Sequence, residues 1–208
     1  IASRHTNEYL PLLSELPFNG DALCSDGLTA LHIAAGRGNH VCVEYLVTRG
    51  ANIETRNLNG NTALHWAAQN GHDEACRILI AASGNNTTNY VNIKNKHGAT
   101  ALMYAIHIPH ISTAVLLIRA AVNTTLSFTS QSGVKTTLLA VAAERGGLAF
   151  VKALLQAGVK PDYTNGKRNA ITNAIRLKDL PLVKLLLEHA ALNNMLDAAL
   201  KTCYATAI

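Results

Sequence analysis

Aromatic side chains are scarce in this 208-residue chain: one tryptophan, six tyrosines and three phenylalanines, 5% in all. With alanine and leucine abundant, that composition suits small helices stacked closely and speaks against a sheet-based core. Charge is scarce too, at 15% against 49% hydrophobic residues, which excludes a disordered chain and allows most apolar surface to be buried. No apolar run reaches the roughly 18 residues that crossing a bilayer takes, so no transmembrane segment is expected. The cysteines Cys24, Cys42, Cys76 and Cys203 form no CxxC pair. They are read as free thiols in a reducing compartment, the cytoplasm or nucleus. With no signal peptide visible, the N-x-T sequons at Asn85, Asn86 and Asn123 are not expected to carry glycans. Because position 1 is Ile rather than Met, the chain is expected to be part of a longer protein.

Catalytic signatures are missing as well. P-loop, GxSxG, HExxH, paired CxxC and EF-hand spacings do not occur, and the fragment Gly36-Arg37-Gly38 lacks the third glycine and the preceding strand of a dinucleotide fingerprint. No cofactor, no metal and no catalysis are expected. His107 and His110, three apart around Pro109, have no third ligand nearby and are read as exposed polar residues.

What the chain does have is periodicity. One pattern recurs at Thr29, Thr62, Thr100, Thr137 and Asn169, with steps of 33, 38, 37 and 32 residues. Such a period marks a repeat architecture. Numbering each copy from its first residue, slots 14, 15, 17 and 18 hold Cys42, Val43, Tyr45 and Leu46 in the first copy and Ala75, Cys76, Ile78 and Leu79 in the second. The same slots are almost wholly apolar in the later copies. Slot 16 between them is Glu44, Arg77, Val115, Lys152 and Lys184. That is the spacing of a helix with one buried face. Slots 6 and 7 are mostly alanine, so a first short helix can lie close to its neighbours. Gly38, Gly71 and Gly146 at slot 10 then punctuate the step to a second helix. No single copy could bury its apolar face alone, so stability must come from stacking of neighbours with modified end units.

The first two copies read TALHIAAGRGNH (29 to 40) and TALHWAAQNGHD (62 to 73). These resemble the TPLHxAAxxGH segment of the ankyrin repeat almost residue for residue. The resemblance implies an all-α repeat solenoid of stacked helix-turn-helix units with short β-hairpin fingers, here at 51 to 61 and 91 to 99. It places a leading cap at 1–23 and repeats at 24–56, 57–94, 95–131, 132–163 and 164–192 of a single solenoid spanning 1–208. Residues 193–208 would be a closing cap or the start of a further segment. In the family the TPLH histidine ties the helix start to the preceding finger, a structural role expected of His32 and His65. The proline of TPLH is absent throughout. The pattern weakens to ATALM (99 to 103), TLLA (137 to 140) and NAIT (169 to 172), so copies three to five are expected to be the less stable half.

The family also implies a non-catalytic adaptor or scaffold that presents a concave groove to a protein or peptide. The residues expected to line that groove come from first-helix slots 5, 8 and 9 and from the finger tips: Arg37, Leu58, Asn59, Asn61, Trp66, Gln69, Asn70, Lys96, His97, Tyr104, His107 and Arg145. Large aromatics such as Trp66 and Tyr104 on such a surface are the usual hot spots; the alternative is that both lean over the neighbouring repeat as core edge. Charge is uneven, with a net of about −3 in residues 1 to 80, about +8 in 81 to 208, and no acidic residue between Glu74 and Glu144. An acidic partner is therefore expected. Nucleic acid is not, because the basic residues lack interleaved aromatics. The chain is expected to act as a monomer. A different reading makes it the substrate-recognition part of a larger enzyme or secreted effector. Two long connections, 84 to 90 and 123 to 133, are further candidate contacts.

Overall fold

In the computed structural model the described residues are 22–24, 26–120, 127–129, 135–145, 147–161 and 169–206. The chain divides into two compact units, Ile1–Ala121 and Val122–Ile208. The expected all-α repeat fold is present in both. Of the leading cap expected at 1–23, residues 1–21 lie outside the described residues.

In the first unit, three helix pairs form: α1 (Ala30–Gly36) with α2 (His40–Thr48), α3 (Ala63–Gln69) with α4 (Asp73–Ala82), and α6 (Ala101–His107) with α7 (Ile111–Ala120). The first helices stack α1 on α3 on α6, and the second helices stack α2 on α4 on α7. Slots 15 and 18 are buried as expected, with Val43, Leu46, Cys76, Leu79, Ala114 and Leu117 at most 9% exposed, and Ala75 is buried at slot 14. Cys42 at slot 14 and all of slot 17 (Tyr45, Ile78 and Leu116) are only half-buried, at the edge of the helix face. Each buried leucine contributes about 1.5–3 kcal/mol relative to an exposed one. Slot 16 turns to solvent at Glu44 and Arg77, whereas Val115 is half-buried.

Residues 84 to 90 do not form the open loop expected of them. A 3₁₀ turn at Gly84–Asn86 runs into α5 (Thr87–Val91), and this helix buries Tyr90 and Val91 against the neighbouring second helices. The insertion is thus an added piece of core, fastened to the finger before it by Asn86 Nδ2 donating to Glu54 Oε1 at 2.9 Å.

The fingers at 51 to 61 and 91 to 99 close through tight turns rather than paired strands. In each, an asparagine replaces the ladder. Asn57 N–H donates to the Asn61 carbonyl (2.9 Å), while Asn57 Oδ1 accepts the N–H groups of Asn59 and Asn61. Asn95 repeats this with Ala99, His97 and Ala99. Fingers stack closely: Lys96 N–H donates to the Asn59 carbonyl at 3.0 Å. A Cβ on Gly60 (φ +76°) would come 2.9 Å from Lys96 N, so the turn needs glycine both for its left-handed backbone and for this approach.

The second unit contains the strand pair described in the chain, β1 (Ser127–Thr129) antiparallel to β2 (Lys135–Thr137), with Phe128 opposite Thr136. The rest of 123 to 133 lies outside the described residues. β2 leads directly into α8 (Leu138–Arg145), followed by α9 (Gly147–Gln156), α10 (Ala170–Arg176), α11 (Leu180–Leu192) and α12 (Leu196–Thr206). Phe150, Val151, Leu154, Leu182 and Leu186 are fully buried among them. The segment 193–208, expected to be a closing cap or the start of a further segment, contains α12, which packs on α10 and α11.

Candidate functional site: the inner-helix and fingertip face of the first unit

The starts of α1 and α3 fix everything above them. Thr29 caps α1: its Oγ1 accepts the His32 N–H (3.3 Å), and His32 Nδ1 in return accepts the Thr29 N–H (3.2 Å) and lies 2.8 Å from Oγ1. This reciprocal box satisfies two otherwise orphaned groups at the helix start. Since Nδ1 is an acceptor, the ring proton sits on Nε2, which donates to the Asn61 carbonyl at 2.9 Å. Thr62 and His65 repeat the arrangement, with Nε2 donating to Ala99 (3.2 Å). The histidines therefore tie each inner helix to the finger that follows, not to the preceding one, because Nδ1 is already spent on the cap. Burial disfavours the charged imidazole, lowering the pKa of His32 and bringing that of His65 down to about 4.

A second pair of histidines reaches backwards. His72 Nε2 donates to the Gly36 carbonyl (3.1 Å), and His110 Nε2 donates to the Gln69 carbonyl (3.2 Å). His110 is thus half-buried and structural, which corrects its reading as an exposed polar residue. The signal was present in the repeat: His72 and His110 both occupy slot 11. No cluster of three metal-ligating side chains occurs among the described residues.

The expected contact residues separate into three groups. Arg37, Leu58, Asn59, Asn70, Lys96, His97 and His107 are exposed on inner helices and fingertips, Leu58 at 62%. Asn70 nonetheless holds its amide on the Gly36 and Trp66 carbonyls. Trp66, Gln69 and Tyr104 are half-buried. The Trp66 ring lies over Gly36, where a Cβ would meet its Cε3 at 2.9 Å. Tyr104 sets its ring edge-on to His65 (centroids 6.1 Å, 83°), and its hydroxyl accepts from Asn95 Nδ2 at 3.0 Å. Both aromatics thus lean over the preceding repeat while keeping part of their surface open.

Asn61 is the correction in this set. At 7% exposure, with its Oδ1 accepting from Asn95 Nδ2 (2.8 Å) and its carbonyl from His32, it holds neighbouring fingers together rather than facing outward. Arg145 is exposed at the end of α8 and belongs to the second unit.

Asn57 and Asn95 were missed as organisers of the fingertips. Each stands five residues before the capping threonine, and that shared slot is the sequence signal for them. A first finger is the turn before α1, in which Gly27 N–H donates to the Cys24 carbonyl. Along the tips the charge changes from Asp26 on this finger, through Asn59 on the second (51 to 61), to Lys96 and His97 on the third (91 to 99).

Stacked helix pairs joined by turn-closed fingers define a repeat protein. The chain belongs to the ankyrin-repeat family. A family model described as ankyrin repeats (3 copies) matches residues 1–90, and one described as ankyrin repeats (many copies) matches residues 64–118. Among relatives, the Notch-regulated ankyrin repeat-containing protein of Xenopus tropicalis is 38% identical over 79 residues, covering 36% of this chain and 69% of that protein. The potassium channel AKT2/3 of Arabidopsis thaliana is 45% identical over 71 residues, 33% of this chain and 9% of the channel. Protein phosphatase 1 regulatory subunit 12A of Mus musculus is 43% identical over 54 residues, 26% of this chain and 5% of that protein. The chain thus spans a tenth or less of the length of the latter two. Ankyrin repeats are protein-interaction modules. No helix among the described residues is long and apolar enough to cross a membrane.

Proposed function

We propose that the first unit is a non-catalytic recognition module that binds an acidic protein or peptide segment across its inner-helix and fingertip face. The observation that carries this reading is how the side chains are used. Second-helix faces are spent on the core and His32, His65, His72 and His110 on backbone carbonyls, whereas Arg37, Leu58, Lys96, His97 and His107 project from one rigid row of helices and turns. Rigid loops on a packed scaffold are where binding concentrates. The basic third finger, with no acidic residue in sequence from Glu74 to Glu144, favours an acidic partner. Ionisable groups that chemistry would use are withdrawn instead: burial pushes the Cys76 thiol up to about 12 and keeps His65 neutral. Free thiols at Cys24, Cys42 and Cys76 fit a monomer working in the cytoplasm or nucleus.

A second reading rests on the relatives, a potassium channel and a phosphatase regulatory subunit far longer than this chain. The same face would then select a partner or substrate for a larger assembly. Because Trp66 and Tyr104 also hold the stack, the cleaner test alters exposed tips. Capture from lysate on the immobilised chain, beside Leu58→Asp with Lys96→Glu and His97→Glu, is expected to retain a protein on the parent alone, with retention falling as salt rises. Equal retention by both, with the fold intact by circular dichroism, would move the binding surface elsewhere.

A further inference from the structure

Between the base of the first finger, α1 and the indole of Trp66 lies an open cleft of about 290 Å³ lined by Leu28, His32, Ile33, Gly36, Arg37 and Trp66. Its existence depends on glycine at the last position of α1. Gly36 is placed for space, not for a left-handed backbone, since a methyl there would press on the indole. Glycine is less favourable than alanine inside a helix, and here it seats the indole that walls the cleft. The volume falls just below the roughly 300–1,000 Å³ of small-molecule sites, a size for one or two peptide side chains rather than a cofactor.

The lining also sets the chemistry. Leu28, Ile33 and Trp66 provide apolar walls. His32 has both ring nitrogens committed, to Thr29 and Asn61, so it presents a neutral ring and no free donor. Arg37 is therefore the ionised group at the cleft, exposed, and it makes no ion pair among the described residues. We infer that this cleft takes an aliphatic side chain of an acidic peptide segment whose adjacent carboxylate pairs with Arg37. The inference rests on the recognition role proposed above and adds to it the anchor and the charge that are read. An aliphatic group fills the space that Gly36 leaves open over the indole, and the guanidinium offers a carboxylate two parallel donors.

Trp66 is the only tryptophan of the chain, so its emission reports this cleft. The full chain is titrated with acetylated, amidated pentapeptides: Gly-Leu-Asp-Glu-Gly, its neutral form Gly-Leu-Asn-Gln-Gly, its basic form Gly-Leu-Lys-Lys-Gly, and Gly-Ala-Asp-Glu-Gly. The acidic leucine peptide is expected to change Trp66 emission and to bind roughly threefold to fivefold tighter than the neutral one, the scale of an exposed ion pair. Arg37→Gln should erase that preference without altering the fold, and the alanine peptide should bind roughly tenfold more weakly. Equal binding of acidic and neutral peptides, or preference for the basic one, overturns the inference. Amide shifts in isotope-labelled protein separate the two readings. Shifts confined to Lys96, His97 and Tyr104, with Trp66 silent, overturn the cleft and leave the face standing. No shift anywhere on the first unit at millimolar peptide overturns both.

Discussion

The two units close the start of an inner helix with different chemistry. In the first, Thr29 and Thr62 pair with His32 and His65; in the second, Asn169 pairs with Thr172, whose hydroxyl accepts the Asn169 N–H and donates to the Asn169 carbonyl, both at 2.9 Å. The cap itself is equivalent. What differs is the capping side chain. An imidazole has a second nitrogen about a ring's width away, so the cap of one repeat also holds the next finger. In the second unit a different side chain links neighbouring inner helices: Asn173 Nδ2 donates to the Ala140 carbonyl at 2.8 Å. Copies three and four keep only half of the box, Thr100 to Met103 N–H and Thr137 to Ala140 N–H, because Met103 and Ala140 cannot return a bond. A cap that doubles as a tie also places a buried titratable group at the joints of the first unit.

The largest consequence follows from that titration. The folded pKa of His65 is lowered to about 4, below its ordinary value of 6.5. The unfolded chain therefore binds the extra proton across that window, so stability present above pH 6.5 is lost as pH falls toward 4. His65 alone accounts for about 3 kcal/mol, and His32 shifts in the same direction. Trp66 emission follows the first unit only, whereas circular dichroism follows all helices. Urea midpoints compared between pH 7 and pH 4.5 should fall further by fluorescence than by circular dichroism. Parallel shifts would show that the imidazole caps do not distinguish the units.

The next effect separates finger stacking from backbone strain within the first unit. Gly60 and Gly98 occupy the same place in successive fingers with nearly equal backbones, φ +76° and +74°. A Cβ on Gly60 would lie 2.9 Å from Lys96 N, while one on Gly98 would meet nothing within 4 Å. Gly98→Ala should cost about 1 to 2 kcal/mol, the penalty of a left-handed alanine. Gly60→Ala adds the displacement of a backbone neighbour and should reach about 2 to 3 kcal/mol. Equal losses in chemical denaturation would mean that the fingers move apart at no cost.

How much of this was legible depended on whether one repeat or two had to be compared. Helix positions, the buried slots and the outward slot 16 follow from period alone, because each repeat faces the same burial problem. The direction of the His32 bond was not legible, since it turns on which nitrogen the threonine cap already uses. Asn61 was placed at a tip for the same reason: its burial comes from Asn95 in the next finger, 34 residues on. The helix at Thr87–Val91 was hidden by an asparagine- and threonine-rich composition that reads as loop, and only Tyr90 and Val91, buried against α4 and α7, pull it into helical form. Within the candidate face, exposure at Arg37, Lys96 and His97 was legible from their slots. The double duty of Trp66 and Tyr104 was not, because packing on Gly36 and on His65 is a property of neighbouring copies.

The smallest expected effect tests the second unit's version of the cap. Thr172→Val keeps the shape of the side chain but removes the hydroxyl that serves both the N–H and the carbonyl of buried Asn169. Asn169 Oδ1 still accepts the N–H of residue 172, so half the box survives, and the loss should be about 1 kcal/mol. Unlike the histidine caps, the described bonds of this cap join no titratable group, and the loss should be the same at pH 7 and pH 4.5. It should register in circular dichroism while leaving the Trp66 midpoint where it was. A loss that grew toward acid pH, or one that lowered the Trp66 midpoint equally, would mean that the two units unfold together and that the contrast between their caps has no thermodynamic expression.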